Sequence, residues 1–178
     1  GCRLHQYVHL TGRMSIGAGC ELHAGVLIGH APQDVKYRGE ESFCRIGERN
    51  IIREYTTIHR ATGEGQATTL GDDNFLLVGA HIGHNCTVGN RVTMVNGAKL
   101  GGHVRVADRV TFGADALVHQ FVRVGALAMI AAGARVAMDI PPFMLTDHEG
   151  FIAGLNSVGL RRAGVPPEQI LDLRRAFH

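Results

Sequence analysis

Four histidines with the potential for chemistry lie close together in the middle of the 178-residue chain. They are His81, His84, His103 and His119, and Gln120 follows the last of them. An imidazole has an unperturbed pKa of about 6.5, so it exchanges protons near neutral pH and also ligates metal ions. These side chains are therefore the first candidates for a general base or a metal site, provided that the fold brings them together.

A six-residue repeat predicts that fold. Apolar side chains recur at every sixth position from Leu70 to Val136, and the same phase occurs earlier in the chain. Such a period is typical of short strands that alternate with tight corners and place one apolar side chain per hexad in a narrow core. An antiparallel sheet would instead show a period of two, with hairpin turns. The sequence therefore predicts an all-β solenoid of hexapeptide repeats, a parallel β-helix.

The repeat also predicts the domain organisation. Residues 1–141 are expected to form the β-helix, with loop insertions at about 31–45 and 61–69 that interrupt the hexads. Insertions in a solenoid lie on one face, which is often the binding face. The hexads stop after two prolines, so residues 142–178 form a C-terminal extension. Its last part has the apolar spacing of an amphipathic helix, which would cap the final coil.

Residues 18 apart are expected to form columns along the prism. If three hexads complete a turn, such residues lie above one another at the spacing of paired strands, about 4.8 Å. One column contains His84, Gly102 and Gln120, so the glycine leaves a slot between two polar side chains. The Gly102 N–H would suit a developing oxyanion, although a glycine also serves simply to turn a corner. A second, outward-facing column contains His81, Lys99, Leu117 and Arg135.

Composition excludes several classes of protein. Lys and Arg total 18 against 16 Asp and Glu, so the net charge of +2 gives no basic footprint for nucleic acid. No apolar stretch approaches the roughly 20 residues needed to span a bilayer. The four cysteines form no CxxC pair, which favours reduced thiols. With no apolar leader at the start, the expectation is a cytoplasmic protein.

Several segments resemble the acyl-carrier-protein-dependent UDP-N-acetylglucosamine 3-O-acyltransferases of lipid A biosynthesis, which are hexapeptide-repeat acyltransferases. The similarity covers about residues 28 to 164, and the segments, in order, are GHAPQDVKYRGE, AHIGHNCTVGN, LGGHVRV, LVHQFVRVG, DIPPF and GLNSVGLRR. The resemblance implies a left-handed β-helix and a homotrimer with sites between subunits. It also implies transfer of a hydroxyacyl chain from acyl carrier protein to the glucosamine 3-position, the first step of lipid A synthesis. No cofactor or metal is implied, because the carrier-protein thioester is a substrate.

The same resemblance assigns roles to individual residues. It implies that His84 is the general base and that Gly102 donates its N–H to the oxyanion. Asp34 and Lys36 match the pair that binds the sugar, and Asn156 with Arg162 matches the contacts at the nucleotide end. The remaining matches are substrate-lining residues, namely His81, His103, His119 and Gln120.

Three residues depart from the pattern of the family. Asn85 stands where an aspartate usually follows the histidine, so the carboxylate that would steady an imidazolium is replaced by an amide. Ala163 stands where a second arginine is frequent, which would loosen the grip on the diphosphate or on the carrier protein. Arg135 stands where a small residue is frequent near the far end of the acyl groove, so it is a candidate determinant of acyl length.

Three functions of other classes are also compatible with the sequence. A zinc carbonic anhydrase with a left-handed β-helix would draw its ligands from His59, His81, His84 and His119. A coenzyme A-dependent sugar acetyltransferase would share the hexads. Asn85 and Ala163 would suit a homologue that binds a UDP-sugar without turnover. The sequence specifies neither the acyl chain nor whether the acceptor carries a 3-hydroxyl or a 3-amino group.

Overall fold

The computed structural model describes residues 1–177 and is a left-handed parallel β-helix followed by two short helices. Most strands have two residues, and successive strands belong to three different sheets, so each turn of the chain visits all three faces of a prism. Strands 18 residues apart are paired in the regular region, as in His81 with Lys99 and Lys99 with Leu117. The predicted all-β fold and the column register are both confirmed.

Each face of the prism is one sheet. Face A contains β1 Arg3–Leu4, β4 Glu21–Leu22, β7 Ile51–Ile52, β10 Phe75–Leu76, β13 Thr93–Met94, β16 Thr111–Phe112, β19 Met129–Ile130, β21 Met144–Thr146 and β22 Ile152–Leu155. Face B contains β2 His9–Leu10, β5 Leu27–His30, β8 Thr57–His59, β11 His81–Ile82, β14 Lys99–Leu100, β17 Leu117–Val118 and β20 Arg135–Val136. Face C contains β3 Arg13–Ile16, β6 Phe43–Ile46, β9 Ala67–Leu70, β12 Thr87–Val88, β15 Arg105–Val106 and β18 Arg123–Val124.

The core consists of two stacked positions per hexad rather than the single one predicted. The second residue of the two-residue strands from β4 to β20 is buried, as Ile82, Leu100 and Phe112 illustrate with no exposed surface. A smaller buried residue lies two positions before it, such as Ala80 or Ala98. The small residue allows the chain to turn tightly at the corner, so a narrow prism is filled without voids.

Corners of the prism require an unusual backbone conformation. The third residue after many of the buried strand positions has a positive φ, including Asn85 at 60°, His103 at 63° and Phe121 at 68°. Non-glycine residues adopt this region infrequently, and asparagine is among the most tolerant. These three residues mark the corner between faces B and C, immediately after His84 and Gln120 in the chain.

The insertions are slightly shorter than the sequence predicts. The first loop spans residues 31–42, because β6 already begins at Phe43, and the second spans residues 60–66, because β9 begins at Ala67. Both strands are four residues long and pair in full register, so the backbone returns to the coil earlier than the apolar pattern indicates.

The β-helix extends past the predicted boundary at residue 141. β21 pairs with β19 in parallel, and β22 then adds to the same sheet in antiparallel orientation. Helix α1 comprises Ser157–Arg162 and helix α2 comprises Pro167–Phe177. Within residues 1–177, neither helix has the length and apolarity needed to cross a membrane.

Candidate functional site

Three of the four predicted histidines line one open cavity at the edge of face B, whereas His103 lies beside it and lines a neighbouring pocket. The volume of the open cavity is about 450 Å³, and His84, Gly102 and Gln120 line it in column order. His81 and His119 lie in the same wall. Because the column residues come from successive coils held by strand pairing, the fold fixes their spacing.

Asn85 fixes the tautomer of His84. The Nδ1 atom of His84 lies 2.9 Å from Oδ1 of Asn85. That oxygen also accepts a hydrogen bond from the N–H of Thr62, while Nδ2 of Asn85 donates to the Thr62 carbonyl, both at 2.9 Å. The two bonds to Thr62 define which end of the amide faces the imidazole. Since Oδ1 only accepts, Nδ1 of His84 carries the proton and Nε2 is left as the basic nitrogen.

Gly102 lies against that basic nitrogen. A Cβ atom at this position would approach Nε2 of His84 to 2.6 Å, far inside contact distance. The glycine therefore keeps the slot open beside the base. Within residues 1–177 the Gly102 N–H also has no acceptor, so it is available to a bound molecule. Both features agree with the role that the sequence predicts.

The neighbouring imidazoles favour their neutral forms. Burial, reinforced by the charges of His59, Lys99 and His84, lowers the pKa of His81 to about 4. Burial followed by the charge of His84 also lowers the pKa of His103, whose ring meets that of His84 edge to face at 5.2 Å. These two imidazoles are thus neutral near neutral pH, and the nearby positive charge comes from Lys99 and Lys36 instead.

The first insertion loop brings Asp34 and Lys36 to the neighbourhood of His84. The backbone N–H of Lys36 donates to Asp34 at 2.9 Å, and this bond is the largest cause that lowers the pKa of Asp34. His84 and Lys36 lower it further through their charges. Neither loop residue lines the cavity itself, but Gln33 beside them does. The loop therefore provides a charged rim rather than part of the slot.

Comparisons with known proteins identify the family of the chain. A family model described as UDP-N-acetylglucosamine O-acyltransferase, domain 2, matches residues 139–178. The acyl-[acyl-carrier-protein]-UDP-N-acetylglucosamine O-acyltransferase of Gloeothece citriformis is 42% identical over 171 residues, which are 96% of this chain and 62% of that protein. A solved UDP-N-acetylglucosamine acyltransferase from Bacteroides fragilis has a TM-score of 0.94 at 36% identity, covering 99% of this chain and 71% of that one.

A second solved structure, the UDP-N-acetylglucosamine acyltransferase from Campylobacter jejuni, has a TM-score of 0.85 at 32% identity. It covers 99% of this chain and 79% of that one. The chain belongs to the UDP-N-acetylglucosamine acyltransferase family. It spans about 62% of the length of the first curated relatives that it matches.

Two predicted residues of this acyltransferase-family chain lie apart from His84. Asn156 and Arg162 line a different cavity of about 660 Å³, on the side of face A, together with Arg109. Asn156 is the N-cap of α1: its Oδ1 accepts from the Gly159 N–H, and its Nδ2 donates to the Leu127 carbonyl. One chain alone does not bring these residues to the base.

Arg135 lies in β20, one coil beyond Leu117 in the outward column of face B. Its side chain is exposed, and it is absent from the lining of the cavity. Leu117 does line the cavity, and 39% of its surface is exposed. In the outward column, Leu117 is thus the apolar side chain between the cavity and Arg135.

Sequence reasoning named His59 only as a candidate zinc ligand, and it missed Gln33 and Thr62. His59 and Gln33 line the cavity, and Thr62 orients Asn85. His59 belongs to the coil that pairs with β11, but the second insertion makes their separation 24 residues instead of 18. Columns counted in steps of 18 therefore fail across an insertion. The pairing could still have been predicted, because the insertion adds six residues to the turn, one full hexad.

Among residues 1–177, the four histidines of the carbonic anhydrase hypothesis do not form a convergent ligand set. Three or more ligand atoms within 4.8 Å of one another occur at one place in that part of the chain, and it involves none of these four residues. A carbonic anhydrase site built from these histidines would need ligands from more than one subunit, as that hypothesis assumes.

Proposed function

We propose that the chain transfers a hydroxyacyl group from acyl carrier protein to the glucosamine 3-position of UDP-N-acetylglucosamine. The observation that carries the proposal is the slot in which the unprotonated Nε2 of His84 faces Gly102. A base with a defined tautomer beside a free N–H matches what acyl transfer to a hydroxyl requires. The names of the curated relatives support the coarser part of the proposal, O-acyl transfer from acyl carrier protein to UDP-N-acetylglucosamine.

The reaction proceeds by direct attack. Nε2 of His84 removes the proton of the acceptor hydroxyl while the oxygen attacks the thioester carbonyl. The carbonyl oxygen becomes an oxyanion, which the Gly102 N–H stabilises. The intermediate then collapses, the C–S bond breaks, and the His84 imidazolium returns its proton to the leaving thiolate. The donor is a substrate, so no cofactor takes part.

The loop residues bind the acceptor. Asp34 and Lys36 lie at the rim near His84, where a carboxylate and an ammonium suit the hydroxyls and the phosphate of a nucleotide sugar. His81, His119 and Gln120 line the cavity, and His103 packs edge to face against the ring of His84. The lowered pKa values of His81 and His103 keep these two imidazoles neutral, so they add no competing charge beside the base.

A homotrimer would complete the site. The cavity at His84 and the cavity at Arg162 lie on different faces of the prism. A cyclic ring is built from heterologous contacts, in which one face of a subunit meets a different face of the next. Such a contact would place Arg162 of a neighbouring copy at the nucleotide end of the His84 cavity. The N-cap bond of Asn156 would then serve to position α1 and its arginine.

The acyl chain would follow face B. Three coils separate His81 from Arg135, roughly 14 Å at the spacing of paired strands. An extended chain that starts near His84 covers this height with on the order of ten carbons, scaled from backbone bond lengths. A guanidinium against methylene groups is unfavourable, so we expect donors of about ten carbons or fewer.

One assay tests the reaction, the donor and the acceptor together. The chain is incubated with UDP-N-acetylglucosamine, or its 3-amino analogue, and a panel of acyl carrier protein thioesters, and products are identified by mass. The expected product is the acceptor plus one acyl group, formed with carrier-protein donors. Product formed only with coenzyme A donors would instead identify a coenzyme A-dependent acetyltransferase. Binding of the UDP-sugar without any product would identify a non-catalytic homologue.

A further inference from the structure

A second group of histidines lies at the other end of the β-helix, on face A. His5 follows β1, and Glu21 and His23 flank the buried Leu22 of β4, so all three side chains leave the same outer surface. Their ligand atoms, one from each residue, all lie within 4.8 Å of one another. This group has no part in the proposed acyl transfer.

The geometry resembles a preformed set of metal ligands. Oε1 of Glu21 is 2.9 Å from Nε2 of His5 and 3.7 Å from Nε2 of His23. Bonds of about 2.0–2.1 Å to nitrogen and oxygen in a tetrahedral zinc site put ligand atoms roughly 3.3 Å apart. The observed separations bracket that value. The backbones of His5 and His23 are anchored by hydrogen bonds to the next coil, so only small side-chain adjustments are needed.

The two imidazoles are also aligned in a way that serves a shared ligand. Their rings are stacked with centroids 4.6 Å apart and an interplanar angle of 11°. Both Nε2 atoms therefore approach the same carboxylate oxygen. Two protonated rings in this arrangement would repel each other, whereas two neutral rings beside one carboxylate form a site of net charge −1 for a cation.

A carboxylate behind the ligands completes the pattern. Nδ1 of His23 lies 3.6 Å from Oε1 of Glu54, and Arg53 holds Glu54 through Nε at 3.0 Å and Nη2 at 3.1 Å. Metal-bound histidines usually donate their second N–H to a carboxylate, which orients the ring. The competing group is Arg3, whose Nη1 is 3.6 Å from Oε1 of Glu21; its side chain is 75% exposed and is free to turn outward.

We propose that His5, Glu21 and His23 bind a divalent transition-metal ion of the Zn²⁺ class. Two imidazoles and one carboxylate form a ligand set that suits zinc and leaves the fourth position to water. The ion connects the first coil, through His5, with the second, through Glu21 and His23. Its effect is to clamp the N-terminal coils together, so binding stabilises the fold.

Titration of chelator-treated protein with Zn²⁺ at about pH 7.5 tests the site. We expect one ion per chain, with affinity reduced at least about 10-fold in His5→Asn and in Glu21→Gln. Glu54→Gln should keep the stoichiometry and weaken binding about 10-fold, since it removes only the orienting carboxylate. The exposed His148 provides a matched control, because His148→Asn removes an imidazole elsewhere and should change nothing.

A thermal readout makes the test independent of catalysis. At about 100 times the dissociation constant, Zn²⁺ should raise the Tm of the wild type by roughly 5 °C and that of Glu21→Gln by much less. Circular dichroism verifies that each variant is folded. The His81→Asn variant shows whether Zn²⁺ binds at the acyl-transfer cavity instead, because it removes an imidazole from that cavity. Loss of the ion in His81→Asn with retention in His5→Asn would overturn the proposal, as would a wild type that binds no Zn²⁺ at micromolar concentration.

Discussion

The regular coils and the two inserted loops contribute differently to the site. Residues 67–136 repeat without interruption, and their strand pairing fixes His84, Gly102 and Gln120 at successive levels. Residues 31–42 and 60–66 leave the coil and bring Asp34, Lys36 and Thr62 beside the base. In the proposed reaction, the coils therefore hold the groups that react, whereas the loops would bind the acceptor and Thr62 orients the side chain beside the base.

The largest effect that separates the two regions is expected for Gly102→Ala. The φ angle at this position is not positive, so the backbone tolerates alanine, but the new Cβ meets the His84 ring. Displacement of the base and closure of the slot should lower kcat by at least about 10². Steady-state kinetics together with the Tm checks this. A variant of wild-type stability with wild-type kcat would show that the slot is not where the acceptor reacts.

Loop substitutions should affect binding instead of turnover. Asp34→Asn and Lys36→Gln are each expected to raise KM for the UDP-sugar about 10-fold or more, with little change in Tm, because the loop lies outside the core. Val35→Ala in the same loop is the matched control, since its side chain is 91% exposed. A fall in Tm comparable with a core substitution would mean that the pair has a structural role.

Asn85→Asp tests the coils and the loops together, because Asn85 lies at a corner of a coil but is hydrogen-bonded to Thr62 of the second loop. A carboxylate beside Nδ1 should stabilise the imidazolium and raise kcat a few-fold. The structure adds a cost: the amide N–H that now bonds the Thr62 carbonyl is lost, and an acceptor replaces it. Stability should fall by about 1–3 kcal/mol. An unchanged kcat in a folded variant would mean that the amide already orients His84 fully.

The smallest expected effect concerns Arg135, at the far end of the regular coils. Arg135→Gly should shift donor preference towards chains longer than about ten carbons by a few-fold in kcat/KM, since it removes the guanidinium beyond Leu117 in the outward column. Arg105→Gly, at the equivalent strand position on face C, is the control. Identical chain-length profiles in the two variants would contradict a role for Arg135. Such a result would mean that only the aliphatic part of its side chain lies beside the groove.

The regular coils could be predicted from sequence because one physical rule governs them. Each hexad must bury its apolar residue, so the period gives the strands, the register and the columns at once. The small buried residues such as Ala98 were missed because alanine is too common to be a signal. The extension of face A through β21 was missed because its pairing no longer follows the hexads.

The loops could not be derived in the same way. Asp34 and Lys36 entered only through the similarity to known acyltransferases, because loop geometry depends on tertiary contacts that a period does not encode. The two hydrogen bonds between Asn85 and Thr62 depend on how residues 60–66 fold back, and nothing in the spacing of the sequence indicates them. The His5, Glu21 and His23 group follows from the columns of face A, yet no motif draws attention to it.

The most direct test of the account is a paired measurement on His84→Ala, in which turnover and UDP-N-acetylglucosamine binding are measured on the same preparation. A general base acts mainly in the transition state. We therefore expect kcat to fall by at least about 10² while the dissociation constant for the UDP-sugar stays within about 3-fold of the wild type. A His84→Ala protein that keeps most of its turnover would contradict the assignment of His84 as the base.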